Sequence, residues 1–343
     1  MSKESFNDLN KNRQIENKDV DDNTSLMLAI VNNQPEIVDE LLTKNADVNL
    51  QNHKGHTALM IAIHTEKPLI ALNLLKKDVK VDLKDNNLST ALMYAIVKNQ
   101  PGIVGELLKR KADVNLQDVN GNTPLMVAII KNQPGIALEL LKKGVKVDLQ
   151  NVKGNTALMY AIVNNQPGIV DELLKRNADV NLKNEFGNTA LMGAIVNNNP
   201  IIVDELLKRN ADVNLKNNIG NTALILAVYD NNPKIVDELL KRNADVNLRN
   251  ETGNTPLMVA ILKNHPGIAL ELLKRNVDVN LKNNIGNTAL ILAMGINQPE
   301  IVDELLKRNA DVNLQDDKGN TALMYAIFFN KPEIALKLLE KKI

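Results

Sequence analysis

Apolar residues fall along this chain in two short stripes that alternate, each at helical spacing. In one clear copy the first stripe is Leu158, Ala161 and Ile162, and the second is Ile169, Val170, Leu173 and Leu174. Each stripe would cover one side of a helix and leave the other side polar. Thr156 stands before the first, where its hydroxyl can accept from an early helical N–H. Pro167 opens the second, a position that has no use for the missing N–H. Between them, Asn164–Asn165 stops the first helix, because asparagine tolerates the left-handed backbone a tight turn requires. After the second stripe, Val180 and Leu182 alternate with polar residues and Asn184–Gly187 has turn chemistry, which predicts an outward hairpin.

The unit Gly154–Phe186 recurs at a fixed 33-residue step. Threonines head ten copies, from Thr24 and Thr57 to Thr288 and Thr321, and prolines keep the same step from Pro35 to Pro332. The asparagine between the helices recurs in nine of the ten, with Glu66 the exception. A constant period of this length specifies a solenoid, because no unit buries its apolar face except against its neighbours. One domain of ten repeats is expected over residues 22–343. Residues 1–21 are read as an N-terminal tail or a degenerate capping half-repeat, in which Leu9 lies under Leu42 and Ile15 under Val48 when the frame is run backwards.

Helix, turn, helix and hairpin with G-x-T-[PA]-L and LL-x-x-x-A-D-V-N resembles the ankyrin repeat, over ten consecutive units. The fold the resemblance implies is all-α: an ankyrin-type helical solenoid of helix-turn-helix repeats with outward β-hairpin loops. There are systematic departures. Where the family usually carries histidine in T-P-L-H, this chain has Met27, Met60, Met93 and their counterparts, with Ile225 and Ile291 in two copies. One methionine per repeat at a helix start is expected in the core rather than on a binding surface. Leu88 occupies the hairpin glycine position, which predicts a distorted turn at Asp85–Ser89. Gly295 weakens the first helix of the ninth unit.

Composition narrows the chemistry. Lys plus Arg and Asp plus Glu are 41 each, so the chain has no general attraction to nucleic acid or to an acidic membrane surface. The recurring Lys-Arg pair, as in Lys175–Arg176, follows Asp171 and Glu172 by four residues and is expected to be neutralised along its own helix. No apolar run approaches the roughly 18 residues that would span a bilayer. The polar start has no secretory core, so a cytosolic protein is expected, in its own cell or in a host. There is no cysteine. His53, His56 and His64 form the one compact imidazole group and read more simply as surface histidines than as a metal site. Neither a phosphate-cradling glycine loop nor a nucleophile–base set is present, so no catalytic residue, cofactor or metal is assigned.

Function is expected where the copies differ. The resemblance implies a concave surface lined by hairpin tips and the exposed side of each first helix. There the variable residues Phe186, Ile219, Tyr229 and Ile285 supply apolar anchors, and Glu185, Asp230, Glu251 and Lys263 lie beside them in the repeat frame. The valines at the Tyr229 position are expected to be half-buried under their own hairpins. The reading is a non-enzymatic interaction module, monomeric, that binds a protein partner and neither nucleic acid nor membrane. The alternatives are a targeting module of a larger effector or enzyme, and a structural or engineered scaffold without a dedicated partner.

Overall fold

The computed structural model describes residues 17–296 and 298–341. The tail-or-cap expectation falls mainly on residues 1–16 and lies outside the described residues. Residues 17–24 already form a repeat hairpin: Lys18 bridges Thr24, and Asp22 stands at the glycine position with φ 60°. Among the described residues every element is a helix, arranged in pairs, which makes the fold an all-α helical solenoid. The hairpins contain no strand there, only isolated antiparallel bridges such as Gln51 to Thr57 and Gln315 to Thr321.

The chain divides between Ala178 and Asp179 into two compact units. The N-terminal unit holds α1 (Ser25–Val31), α2 (Pro35–Thr43), α3 (Ala58–His64), α4 (Pro68–Leu75), α5 (Ala91–Val97), α6 (Pro101–Lys109), α7 (Pro124–Ile130), α8 (Pro134–Leu141), α9 (Ala157–Val163) and α10 (Pro167–Lys175). The C-terminal unit holds α11 (Ala190–Val196), α12 (Pro200–Lys208), α13 (Ala223–Tyr229), α14 (Pro233–Lys241), α15 (Pro256–Leu262), α16 (Pro266–Leu273), α17 (Ala289–Gly295), α18 (Pro299–Lys307), α19 (Ala322–Phe328) and α20 (Pro332–Glu340). Within each unit first helices pack on first helices, and each packs on its own partner, so the core lies between the two rows.

The local chemistry explains why these segments become helices at all. Seven residues are too few for a stable isolated helix, so tertiary burial and capping must hold the first helices. Thr222 supplies the cap in α13: it is buried, and its hydroxyl accepts from Ile225 N at 3.3 Å. The turn residues behave as the sequence indicates, with Asn99, Asn165 and Asn231 at φ 50–53°. Glu66 follows them into the left-handed region at φ 58°, and its carboxylate pairs with Lys98 at 3.1 Å. The methionines are core. Met27, Met60, Met93, Met126 and Met258 are buried beneath their neighbours, and Met324 alone of the ten-copy position is exposed. Lys175 meets Asp171 at 2.6 Å and Arg176 meets Glu172 at 2.7 Å, so the basic pairs are solvated i,i+4 bridges worth a few tenths of a kcal/mol.

Leu88 corrects the sequence reading. Its turn is regular: Leu88 N donates to Asp85 O at 2.9 Å and Asp85 N to Ser89 O at 3.0 Å, against 2.8 and 3.1 Å in the copy that carries Gly55. Leu88 itself adopts φ 59°. The turn is over-determined, because the Asp85 carboxylate accepts from Asn87 N at 2.9 Å and Ser89 N at 2.8 Å, while Asn87 O accepts from Val119 N at 2.8 Å. A leucine side chain that points to solvent can then bear the backbone strain. The departure from regularity falls instead after Gly295. Ile296 is extended there (φ −122°, ψ 141°), whereas α11 ends on Asn197 with φ −78° and ψ 3°.

Candidate partner-binding surface

The tips of the C-terminal unit are built by asparagine. Asn184 Oδ1 accepts from Phe186 N and Asn188 N, each at 3.0 Å, and Gly187 N closes onto Asn184 O at 2.8 Å. Asn217, Asn250 and Asn283 repeat the arrangement in the following copies. Successive tips are then joined through the backbone: Asn218 N donates to Phe186 O at 3.0 Å, Glu251 N to Ile219 O at 3.1 Å, and Asp317 N to Ile285 O at 3.3 Å. A second ladder runs beneath them, with Asn217 Nδ2 on Asn188 Oδ1 at 2.9 Å and Asn283 Nδ2 on Asn254 Oδ1 at 2.9 Å. Rigid backbone links of this kind hold side chains at a fixed spacing, as a recognition surface requires.

On this frame Phe186, Ile219 and Ile285 occupy one row of equivalent tip positions, and all three are exposed. Thr252 fills the fourth place in that row. Glu185 and Glu251 are exposed at the neighbouring tip position. Tyr229 ends α13 and is 54% exposed, and the Lys263 ammonium lies 3.8 Å from its ring centroid. Lys263 follows α15, so this contact links adjacent repeats through a cation–π interaction. Asp230 follows Tyr229 at the helix end, and partial loss of solvation holds its carboxyl above the usual range. Val163 and Val196 are as open as Tyr229, so the expected half-burial does not hold at these two, while Val97 is 46% exposed.

A second constellation, in the N-terminal unit, was not singled out from the sequence. Tyr94 O–H donates to Asp85 Oδ2 at 2.7 Å, and His56 Nε2 lies 3.0 Å from the same hydroxyl. With the tyrosine proton directed at Asp85, the phenolic oxygen accepts from a protonated His56 Nε2. The His64 ring meets Tyr94 edge-on, 5.7 Å between centroids at 90°. Tyr325 repeats the contact in the C-terminal unit, donating to Asp316 Oδ2 at 2.6 Å, and Tyr160 pairs with Asn151 at 2.8 Å. The available signal was a tyrosine nine residues after the tip Asp or Asn in these three copies. His53 turns elsewhere, its Nδ1 at 2.7 Å from Asp21 O, so the three histidines do not converge. Among the described residues no group of three or more metal-ligating side chains is found.

The family model described as ankyrin repeats (3 copies) matches the chain at residues 26–118, 98–184, 168–250, 191–283 and 257–343. The chain belongs to the ankyrin repeat family. Ankyrin repeats are in general protein–protein interaction modules, and the family is typically non-enzymatic. No curated protein matches the chain. In this ankyrin chain the usual T-P-L-H histidine is replaced by methionine in eight copies, all buried but Met324, and by buried isoleucine in two. Polar links between repeats run through the asparagine ladders and, in the N-terminal unit, between Tyr94 and His56. No described helix is long and apolar enough to cross a membrane.

The Tyr94 cluster makes the stability of the N-terminal unit depend on pH. Burial holds His56 below its ordinary value of 6.5, so folding favours the neutral ring. As pH falls below 6.5 the unfolded chain takes up this proton first, and the contribution present above 6.5 is lost. Burial and the Asp85 hydrogen bond raise Tyr94 above its ordinary 10.0, so its contribution is present below pH 10 and lost above it. The melting temperature of the full chain is therefore expected to fall between pH 7.5 and pH 5 by more in the wild type than in His56→Gln, which cannot titrate there. Equal falls in the two proteins would remove His56 from the account.

Proposed function

We propose that the C-terminal unit binds a protein partner across its hairpin tips and first helices, on the concave side that the ankyrin architecture implies. Phe186, Ile219, Ile285 and Tyr229 act as apolar anchors, while Glu185, Glu251, Asp230 and Lys263 form the polar rim that selects among partners. The observation that carries the reading is Tyr229 with Lys263. The lysine favours one placement of this exposed ring, which reduces the freedom the ring would lose on binding. The tip row supports it, since three large apolar side chains stand at equivalent solvent-facing positions on a hydrogen-bonded backbone. The chemistry is recognition without catalysis.

The test places a photo-crosslinking amino acid at Ile219 and, in a second protein, at the exposed Lys175 of the outer row. The reading expects one partner captured in stoichiometric, saturable yield from Ile219 and not from Lys175. Equal capture from both positions would overturn it.

A further inference from the structure

The second helices change their charge pattern for three repeats of the N-terminal unit. Asp39, Asp171, Asp204, Asp237 and Asp303 share one position of the repeat. Three of these pair with the lysine four residues on: Asp171 with Lys175 at 2.6 Å, Asp204 with Lys208 at 2.7 Å and Asp237 with Lys241 at 2.8 Å. Leu72, Gly105 and Leu138 replace the acid in three successive repeats, a run found nowhere else in the chain. Lys76, Lys77, Lys142 and Lys143 consequently have no ion pair among the described residues. Lys109 falls back on Glu106 at 3.3 Å, which also holds Arg110 at 3.5 Å. Charge is reversed as well as released: Lys80 and Lys146 stand where the seven other copies, from Asp47 to Asp311, are aspartate. Lys111 takes φ 59° at a turn where Asn45, Asn177 and Asn210 supply the left-handed residue, so that cation is placed against backbone strain.

The same substitutions shape the surface. Helices α4, α6 and α8 pack side by side, at the 8–10 Å or so usual for helix pairs. Leu69 and Leu72 project from α4, 81% and 38% exposed, and Leu138 projects from α8, 40% exposed. Between them α6 presents Gly102 and Gly105, and a Cβ on Gly102 would meet nothing within 4 Å. The three helices thus form a trough with leucine walls and a floor of bare helix. Glu139 lies at its side, with Oε1 3.5 Å from where a Cβ on Gly105 would stand. At the C-terminal end of α6 a cleft of about 630 Å³ is lined by Lys109, Lys111 and Lys143 over Leu108 and Ala112, with Asp113 its single acid.

We infer that this trough is a second docking surface, and that its occupant is an acidic amphipathic helix of a protein partner. A helix with its side chains is about 10–12 Å across, which suits a bed one helix wide between the Leu72 and Leu138 walls. Its apolar stripe lies on Gly102, Gly105 and the two leucines, while carboxylates on its flanks meet Lys76, Lys77, Lys142 and Lys143. The zero net charge of the chain conceals this patch, because the same position carries acid in the repeats on either side. A shaped protein segment fits better than an anionic bilayer. Glu106, Asp113 and Glu139 stand among the lysines, and they oppose a uniformly negative surface where a helix can place its own charges between them. Single-stranded nucleic acid would find nothing to stack on, since α4, α6 and α8 contain no aromatic residue.

The probe is a synthetic peptide with leucines along one face of a helix and glutamates on both flanks, titrated against the full chain by fluorescence anisotropy. A control peptide has the same composition in an order that scatters the leucines. One variant combines Leu72→Asp, Gly105→Asp and Leu138→Asp, which restores the acid that other repeats carry four residues before the lysine; circular dichroism should show an unchanged fold. A second replaces Lys76, Lys77, Lys142 and Lys143 with glutamine. The wild type is expected to bind the amphipathic peptide at least about 10-fold more tightly than the control, to weaken as salt is added, and to lose about 10-fold in either variant. Equal affinity for the two peptides, or wild-type affinity in the aspartate variant, would overturn the inference. So would a chain that leaves the peptide free, whether or not it sediments with phosphatidylserine–phosphatidylcholine vesicles; sedimentation would then make the occupant a membrane.

Discussion

Replacing Tyr229 and Phe186 together by alanine is expected to weaken partner binding at least about 30-fold, because truncating a buried aromatic anchor at an interface costs about 2 kcal/mol or more. Both side chains stand in solvent in the free protein, so the same change should leave the melting temperature almost unaltered. Tyr229→Phe separates the two contributions of the tyrosine. It keeps the ring over which Lys263 sits and removes only the hydroxyl, so affinity should stay close to wild type if the ordered aromatic face is what the partner meets. Val163→Ala, at the matching helix position in the N-terminal unit, serves as the control with no expected effect. Titration calorimetry with the cross-linked partner reads all three. Wild-type affinity in the double variant would remove these residues from the site while leaving the family assignment untouched.

One position of the repeat should give opposite signs in two copies. Gly220 has φ 74°, and a Cβ placed there would lie 2.6 Å from Glu251 N of the next tip. Gly220→Ala therefore meets both left-handed strain, about 1–2 kcal/mol, and a backbone contact that must shift, and should destabilise the C-terminal unit by about 2 kcal/mol or more. Leu88 already bears that strain in the N-terminal unit at φ 59°. Leu88→Gly should relieve it at some cost in unfolded-state entropy, for a net stabilisation of about 0.5–1 kcal/mol. Chemical denaturation reads both changes. A destabilised Leu88→Gly would mean that the leucine side chain makes contacts that outweigh the backbone strain.

The pair also marks where local reasoning stops. A leucine at a glycine position predicts a distorted turn if the turn is judged by its own five residues. In the folded chain the Asp85 carboxylate and the Val119 N–H of the next tip fix the same backbone from outside, and the residue conforms. The valines show the converse error. Val163 and Val196 are expected to be half-buried under their own hairpins, and in the folded chain both are exposed. Tyr94 was passed over for a third reason. Its partners His56 and Asp85 lie 38 and 9 residues away, and in this frame only stacking brings all three together.

By itself the sequence determined the repeat, the two helices in each copy, their threonine caps and proline starts, the asparagine turns, the neutralised Lys-Arg pairs and the methionine core. Each of these depends on residues within one 33-residue unit or on identity between units, and short-range forces act there directly. Tertiary structure decided what depends on neighbours: how His56 meets Tyr94, how Lys263 comes to lie over Tyr229, and how the tips of the C-terminal unit join into one row. The physical reason is the solenoid itself. Every repeat is nearly the same locally, so its surface acquires meaning only from what stacks against it and from what does not.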